Sequence, residues 1–298
     1  MTEWWPQSGS VWLPVVLALS AACFYGLSAI TSRRGTANLS PQIAVIVSLG
    51  ATVASFLITS PWWARTEDWF NPGIWVFMAL GLVHPVLSMY FWLEAIQRAG
   101  ATVASTFSAT SPLFAACTAV LFLGESLNGL TALGTLACVG GIIILSWAPM
   151  GMSSAIKAAL LFATGAALLR GVNHTVARFG LEALSNPMMA AFVGTAVAFL
   201  SSIALYCVRN KRMPSVTLTR DMPFMAMTGV LSCAGVTAGY AALNVGTVVV
   251  VSPLISTYPV FSLVFALMLG TERLSLRVLL GVGTVVGGVI VISLARAM

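Results

Sequence analysis

Arg170, Asn173 and His174 stand at positions i, i+3 and i+4 of one apolar run, so a helix would bring them to one face. An arginine there offers a planar fork of donors that fits a carboxylate; the plainer reading is a bond to backbone carbonyls or a reach to the membrane interface. His84 lies in another such run, followed by Pro85 and, one turn on, Ser88. The proline removes a backbone bond and opens a carbonyl to a cavity. The imidazole is suited to bind a solute or take a proton near neutral pH, with simple packing as the alternative. Tyr25, Ser28, Tyr90, Thr110, Tyr240, Asn244 and Tyr258 complete the polar set inside apolar runs. Tyrosine joins an apolar face to one hydrogen bond, which suits amphipathic or aromatic solutes, and each residue could instead bridge two helices. No metal-ligand spacing, nucleophile triad or phosphate-binding loop occurs, so neither a cofactor, a metal nor an enzyme is expected.

The elements that must position these residues follow from composition. Of 298 residues, 59% are apolar and 7% charged, against about 25% charged in a soluble domain. Runs of about 20 residues almost free of charge recur along the chain, each long enough to cross a hydrocarbon layer of about 30 Å. The pattern predicts an all-α integral membrane protein with ten transmembrane helices, near 11–32, 40–60, 72–96, 101–122, 127–148, 154–177, 187–209, 221–243, 247–270 and 275–296. Ser40-Pro41 and Asn186-Pro187 each place a capping side chain before a proline at a helix start. The five cysteines lie inside apolar runs and imply neither disulfides nor a zinc site.

Basic residues cluster in the connections after the odd-numbered spans, at Arg33, Arg34, Arg98, Lys157, Arg209, Lys211, Arg212, Arg220, Arg273 and Arg277. The opposite side has Arg65, Arg178 and Arg296, so the positive-inside rule predicts both termini outside the cytoplasm. A net charge of +6 is thereby read as membrane orientation rather than nucleic-acid binding.

A shift of 147 residues aligns Pro112–Leu145 with Pro259–Ile292 without a gap. Eleven of 34 positions agree, among them a proline, a glutamate and three glycines, which apolar bias does not align by chance. The chain therefore divides into a five-helix repeat over 1–150 and a second over 151–298. An odd number of spans per repeat inverts the second copy, the architecture of secondary transporters with a central cavity near the midplane. Glu125 and Glu272, paired by the same shift, are expected to cap spans five and ten. Gly235-x-x-x-Gly239 and Gly283-x-x-x-Gly287 are expected to allow close helix approach.

The stretches YFWLEAIQRAGATVASTFSATSPLFAACTAVLFLGESL and YAALNVGTVVVVSPLISTYPVFSLVFALMLGTERL, with Tyr25-Gly26 in helix one, resemble the drug/metabolite transporter superfamily of the EamA type. The resemblance covers nearly the whole chain. It implies a ten-helix carrier, often an exporter, of amino acids or related metabolites, in the inner (plasma) membrane. Arg170, about two thirds of the way through span six and without a second cation beside it, adds the expectation of a zwitterionic, monoanionic or neutral solute rather than a dianion. The cavity is expected among spans one, three, four, six, eight and nine, in a monomer whose partners are a small-molecule substrate and membrane lipids, without nucleic acid. The alternative is a lipid-moving or accessory membrane subunit.

Overall fold

Where a capping side chain precedes a proline, a helix begins. Ser40 Oγ accepts from the Ile43 N–H at 3.4 Å and Asn186 Oδ1 from the Met189 N–H at 3.2 Å, and the prolines that follow lack the N–H that would otherwise go unpaired. The computed structural model describes residues 12–36, 39–84, 87–88, 91, 94–95, 109–146, 154–214, 220–271 and 275–297. Pro85, Tyr90, Arg98, Glu272 and Arg273 lie outside them, as do the side chains of Lys157 and Arg296. Among the described residues the structure is helical without strands: α1 Leu13–Gly35, α2 Pro41–Trp63, α3 Gly73–His84, α4 Ser111–Leu123, α5 Gly129–Ser146, α6 Ser154–Ala183, α7 Pro187–Asn210, α8 Met222–Val245, α9 Val248–Ile255, α10 Tyr258–Met268 and α11 Leu276–Ala297. A short 3-10 turn, Thr66–Phe70, joins α2 to α3.

Two expectations about the helices change. Span nine is not continuous: α9 ends at Ile255 and α10 starts at Tyr258. Pro259 has no N–H for the Ile255 carbonyl, and Thr257 turns its hydroxyl onto the Leu254 carbonyl at 2.7 Å. Thr110-Ser111-Pro112 starts α4 in the same way, with Thr110 and Thr257 in nearly identical backbone conformations. Span six, in turn, runs six residues past its expected end, to Ala183. The extension places Arg170 near the middle of the helix, about 20 Å from its C-terminal end at 1.5 Å per residue.

Helix–helix contacts make the inversion visible. A β-carbon at Gly134 would meet the Gly288 carbonyl oxygen at 2.8 Å, and one at Gly141 the Gly281 oxygen at 2.8 Å. Gly134 and Gly281 are equivalent at the 147-residue shift, as are Gly141 and Gly288. Equivalent helices α5 and α11 thus cross antiparallel with exchanged contacts, as a two-fold axis requires. Because the helices run across the membrane, that axis lies in its plane. The architecture is two inverted five-helix repeats around a central cavity.

Other crossings repeat the relation. A β-carbon at Gly26 would meet Phe261 Cβ at 2.6 Å, Ser262 N at 2.8 Å and Tyr258 O at 3.0 Å. One at Gly171 would meet Phe114 Cβ at 2.8 Å, Ala115 N at 2.7 Å and Ser111 O at 2.8 Å. These partners match at the 147-residue shift, so α1 sits on α10 as α6 sits on α4. Gly81 of α3 against Gly194 and Val197 of α7 likewise mirrors Gly229 of α8 against Ser48 and Ala51 of α2.

The glycine expectation holds in one place and fails in another. Gly235 receives the Tyr25 ring, 2.9 Å from a β-carbon position, and Gly239 faces Ile255 and Ala21. Gly283 and Gly287, however, have nothing within 4 Å, and it is Gly281 and Gly288, seven residues apart, that face α5. In a straight helix seven residues bring a side nearly back to the same face, so the crossing selects that spacing.

Glu125 also has a different task. Its two carboxylate oxygens accept from the N–H groups of Val248 and Val249 at 2.8 and 2.9 Å, capping α9 of the opposite repeat. Asn128 caps α5 instead, accepting from Thr131 N at 2.7 Å, and Ser275 caps α11, accepting from Val278 N at 3.3 Å. A carboxylate with both oxygens on a helix N-terminus is favoured by dipole and hydrogen bonds together. Glu125→Ala is expected to cost about 2 kcal/mol by loss of two charge-assisted bonds, with Glu125→Gln intermediate, read as a fall in unfolding temperature of the detergent-purified protein.

Candidate functional site

Small residues on one face of α7 leave the space. Ala191, Gly194, Thr195 and Ala198 recur at i, i+3, i+4 and i+7 and border a cavity of about 190 Å³, roughly six water volumes at about 30 Å³ each. Tyr25 of α1, Leu49 of α2, Leu80, Gly81 and His84 of α3, Asn173 and His174 of α6, Val236, Gly239, Tyr240 and Leu243 of α8, and Ile255 of α9 complete its wall. The cavity lies where the two repeats meet.

Polar groups on the wall are fixed by packing or left open. His174 shares a hydrogen bond of 2.8 Å between Nδ1 and Oγ of Ser252, a fully buried residue on α9. Tyr240 packs against Phe77, ring centroids 5.6 Å apart at 44°. Tyr25 lies over Gly235, where only a missing side chain lets the ring fit. His84 Nε2 is buried without a hydrogen-bond partner among the described residues. Such an atom costs about 1–3 kcal/mol while unpaired, so a ligand that pairs it recovers that cost.

Arg170 is half-buried and adjoins the wall rather than forming it, one turn before the wall residues Asn173 and His174 on the same face of α6. Arg178, two turns on, is engaged elsewhere, donating to the Asn244 carbonyl at 3.3 Å and pairing with Glu182 at 3.8 Å. Among the described residues the wall carries no Asp or Glu.

Of the ten residues singled out from sequence, the structure brings Tyr25, His84, Asn173 and Tyr240 onto this wall, with Arg170 beside them. Ser28 faces Ser232 of α8 at 3.5 Å instead. Thr110 starts α4, Asn244 offers its backbone carbonyl to Arg178, and the Tyr258 carbonyl lies against Gly26. Tyr90 lies outside the described residues. Span four contributes no described residue to the wall, whereas α2 and α7 do. The small-residue face of α7 is the signal that marks it in the sequence.

The two-fold relation explains the distribution of charge. Gly26 and Gly171 occupy equivalent places, so Tyr25 corresponds to Arg170 and Ser28 to Asn173; Gly81 and Gly229 make His84 correspond to Ser232. The contact between Ser28 and Ser232 in one half thus has Asn173 and His84 as its counterpart on the cavity wall. One side of the cavity carries the guanidinium, imidazoles and amide. The other carries the phenols of Tyr25 and Tyr240 and aliphatic groups.

Comparisons with known proteins agree with this architecture. A crystal structure of a protein that is 19% identical superposes with a TM-score of 0.79, covering 95% of this chain and 97% of its own, a likeness of fold. A protein of Sinorhizobium sp. called "Uncharacterized transporter in cobO 3'region" is 27% identical over 145 residues, 47% of this chain and 97% of its own. One family pattern matches twice, over residues 12–147 and 157–294. Its two matches span both repeats, and the chain, a multi-pass membrane protein, belongs to the EamA-like transporter family.

Proposed function

We propose that the chain is a secondary carrier of small organic metabolites, amino acids or similar zwitterionic, monoanionic or aromatic solutes, working by alternating access and serving export. The observation that carries this reading is the cavity between the inverted repeats, with His84 on its wall, its buried Nε2 without a partner among the described residues, and Arg170 beside it on α6. Tyr25, His84, Asn173 and Tyr240 contact the solute in this scheme, and Arg170 supplies the charge. Rocking of one repeat against the other about the glycine crossings exposes the cavity to each side in turn. The break between α9 and α10 before Pro259 supplies a point where such bending disrupts no regular backbone bond.

Reconstituted proteoliposomes preloaded with single solutes test the reading by counterflow of amino acids, organic acids and aromatic metabolites. Saturable exchange of at least one solute is expected; an absence of exchange for every member of the panel rejects it. We further propose the inner (plasma) membrane with both termini outside, on the clustering of Arg33, Arg34, Arg209, Lys211, Arg212 and Arg220 on the other side. A cysteine placed at Thr36 is then expected to react with an impermeant maleimide in inverted vesicles and not in intact cells. The opposite labelling pattern reverses the orientation.

A further inference from the structure

Charge balance around the cavity narrows the solute. The chain has eight acidic residues, and none of the six described ones borders the wall. Glu67 and Asp68 sit in the 3-10 turn, Glu125 is bound to α9, Glu182 ends α6, and Asp221 precedes α8. Glu94 does not border the cavity. Glu3 and Glu272, outside the described residues, fall by sequence before the first span and between the last two. Among the described residues, the formal charge beside the cavity is the cation of Arg170, near the middle of α6 and on the helix face that carries the wall residues Asn173 and His174.

We infer that this site selects monoanionic carboxylates lacking an ammonium group over the corresponding zwitterionic amino acids. This rests on the carrier reading above and deepens it. A carboxylate beside Arg170, with Asn173 and His84, whose Nε2 has no partner among the described residues, as further partners, leaves the loaded cavity neutral. A zwitterion leaves it with a net positive charge in a medium that screens poorly, and leaves its ammonium without a counter-charge. Among the described residues, what the wall offers an ammonium are neutral acceptors without a counter-charge: phenol oxygens, the Thr195 hydroxyl, the Asn173 amide oxygen and imidazole nitrogens. The hydrocarbon part of the solute faces Tyr25 and Tyr240, on the side that carries no charge.

The test is calorimetric binding of matched solutes to detergent-purified protein, which avoids passive leak of organic acids through vesicles. 3-Phenylpropionate, L-phenylalanine, phenethylamine and 3-phenylpropanamide share one body and differ in charge; 4-methylpentanoate and L-leucine repeat the comparison with an aliphatic body. At least tenfold tighter binding of the carboxylate than of its amino acid, in one series or both, and loss of that preference in Arg170→Gln, is the expected result. Equal or tighter binding of the amino acid, or binding of the amine, overturns the inference while leaving the carrier reading intact. Binding of the amide as tight as the acid shows that shape rather than charge selects, and overturns it too. Binding of none of the six rejects the inference, and the counterflow panel then decides the carrier reading separately.

Discussion

Arg170→Ala is expected to lower solute binding and transport by between about thirtyfold and a few thousandfold, while the protein becomes no less stable. The first half follows from a buried, hydrogen-bonded charge pair, whose truncation costs about 2–5 kcal/mol, at about 1.4 kcal/mol per tenfold change. The second half has the opposite sign because, in the unloaded protein, the guanidinium stands beside a cavity whose wall, among the described residues, carries no carboxylate. Removing a cation near the middle of α6 relieves a desolvation cost of roughly 2.5–3.5 kcal/mol on insertion scales. The unfolding temperature of the purified variant is thus expected to hold or rise. A variant that loses transport and stability together would mean that Arg170 serves the fold, bonding carbonyls, and would remove it from the site. Arg170→Lys keeps the charge but not the fork, and an intermediate loss is expected of it.

Gly171→Leu is expected to abolish the folded protein, and Gly171→Ala to destabilise it by about 1–3 kcal/mol, the usual cost of overpacking a close contact. The added β-carbon meets two backbone atoms and a β-carbon of α4, none of which is the free end of a flexible side chain. Helix α6 must then back away from α4, carrying Arg170 and Asn173 with it. Gly26→Ala is expected to do the same between α1 and α10, because its contacts are the symmetric set. Gly140→Ala, with nothing within 4 Å, is the neutral control. Size-exclusion profiles and thermal unfolding in detergent check the series; a folded, fully stable Gly171→Leu would refute the close crossing.

Both predictions concern neighbours, since Arg170-Gly171 and Tyr25-Gly26 are one motif written twice with different first residues. Sequence alone exposes the duplication where a proline, a glutamate and three glycines recur, but α1 and α6 are too divergent for that. Only the identical sets of contacts made by Gly26 and Gly171 align them. The alignment then sets Arg170 and Asn173 of the second repeat and His84 of the first against the uncharged counterparts Tyr25, Ser28 and Ser232.

Membrane residence, ten spans, the capped starts of α2 and α7, the repeat and its inversion are determined by the sequence itself. They follow from local quantities: apolar run length, the chemistry of a side chain before a proline, and an odd number of crossings. Four polar residues of the wall, Tyr25, His84, Asn173 and Tyr240, could be listed from the same source, because a polar group in hydrocarbon is costly enough to stand out. Tertiary structure decided which of them meet. Glu125 looked like the cap of the helix that follows it and instead holds the start of α9 in the other repeat. Gly283 and Gly287 had the spacing of a packing motif but lie on the open face, and α7 entered the wall through residues notable only for being small. The physical reason is common to all three: a helix presents every face to something, and sequence gives the faces without saying which neighbour, protein, cavity or lipid, each one meets.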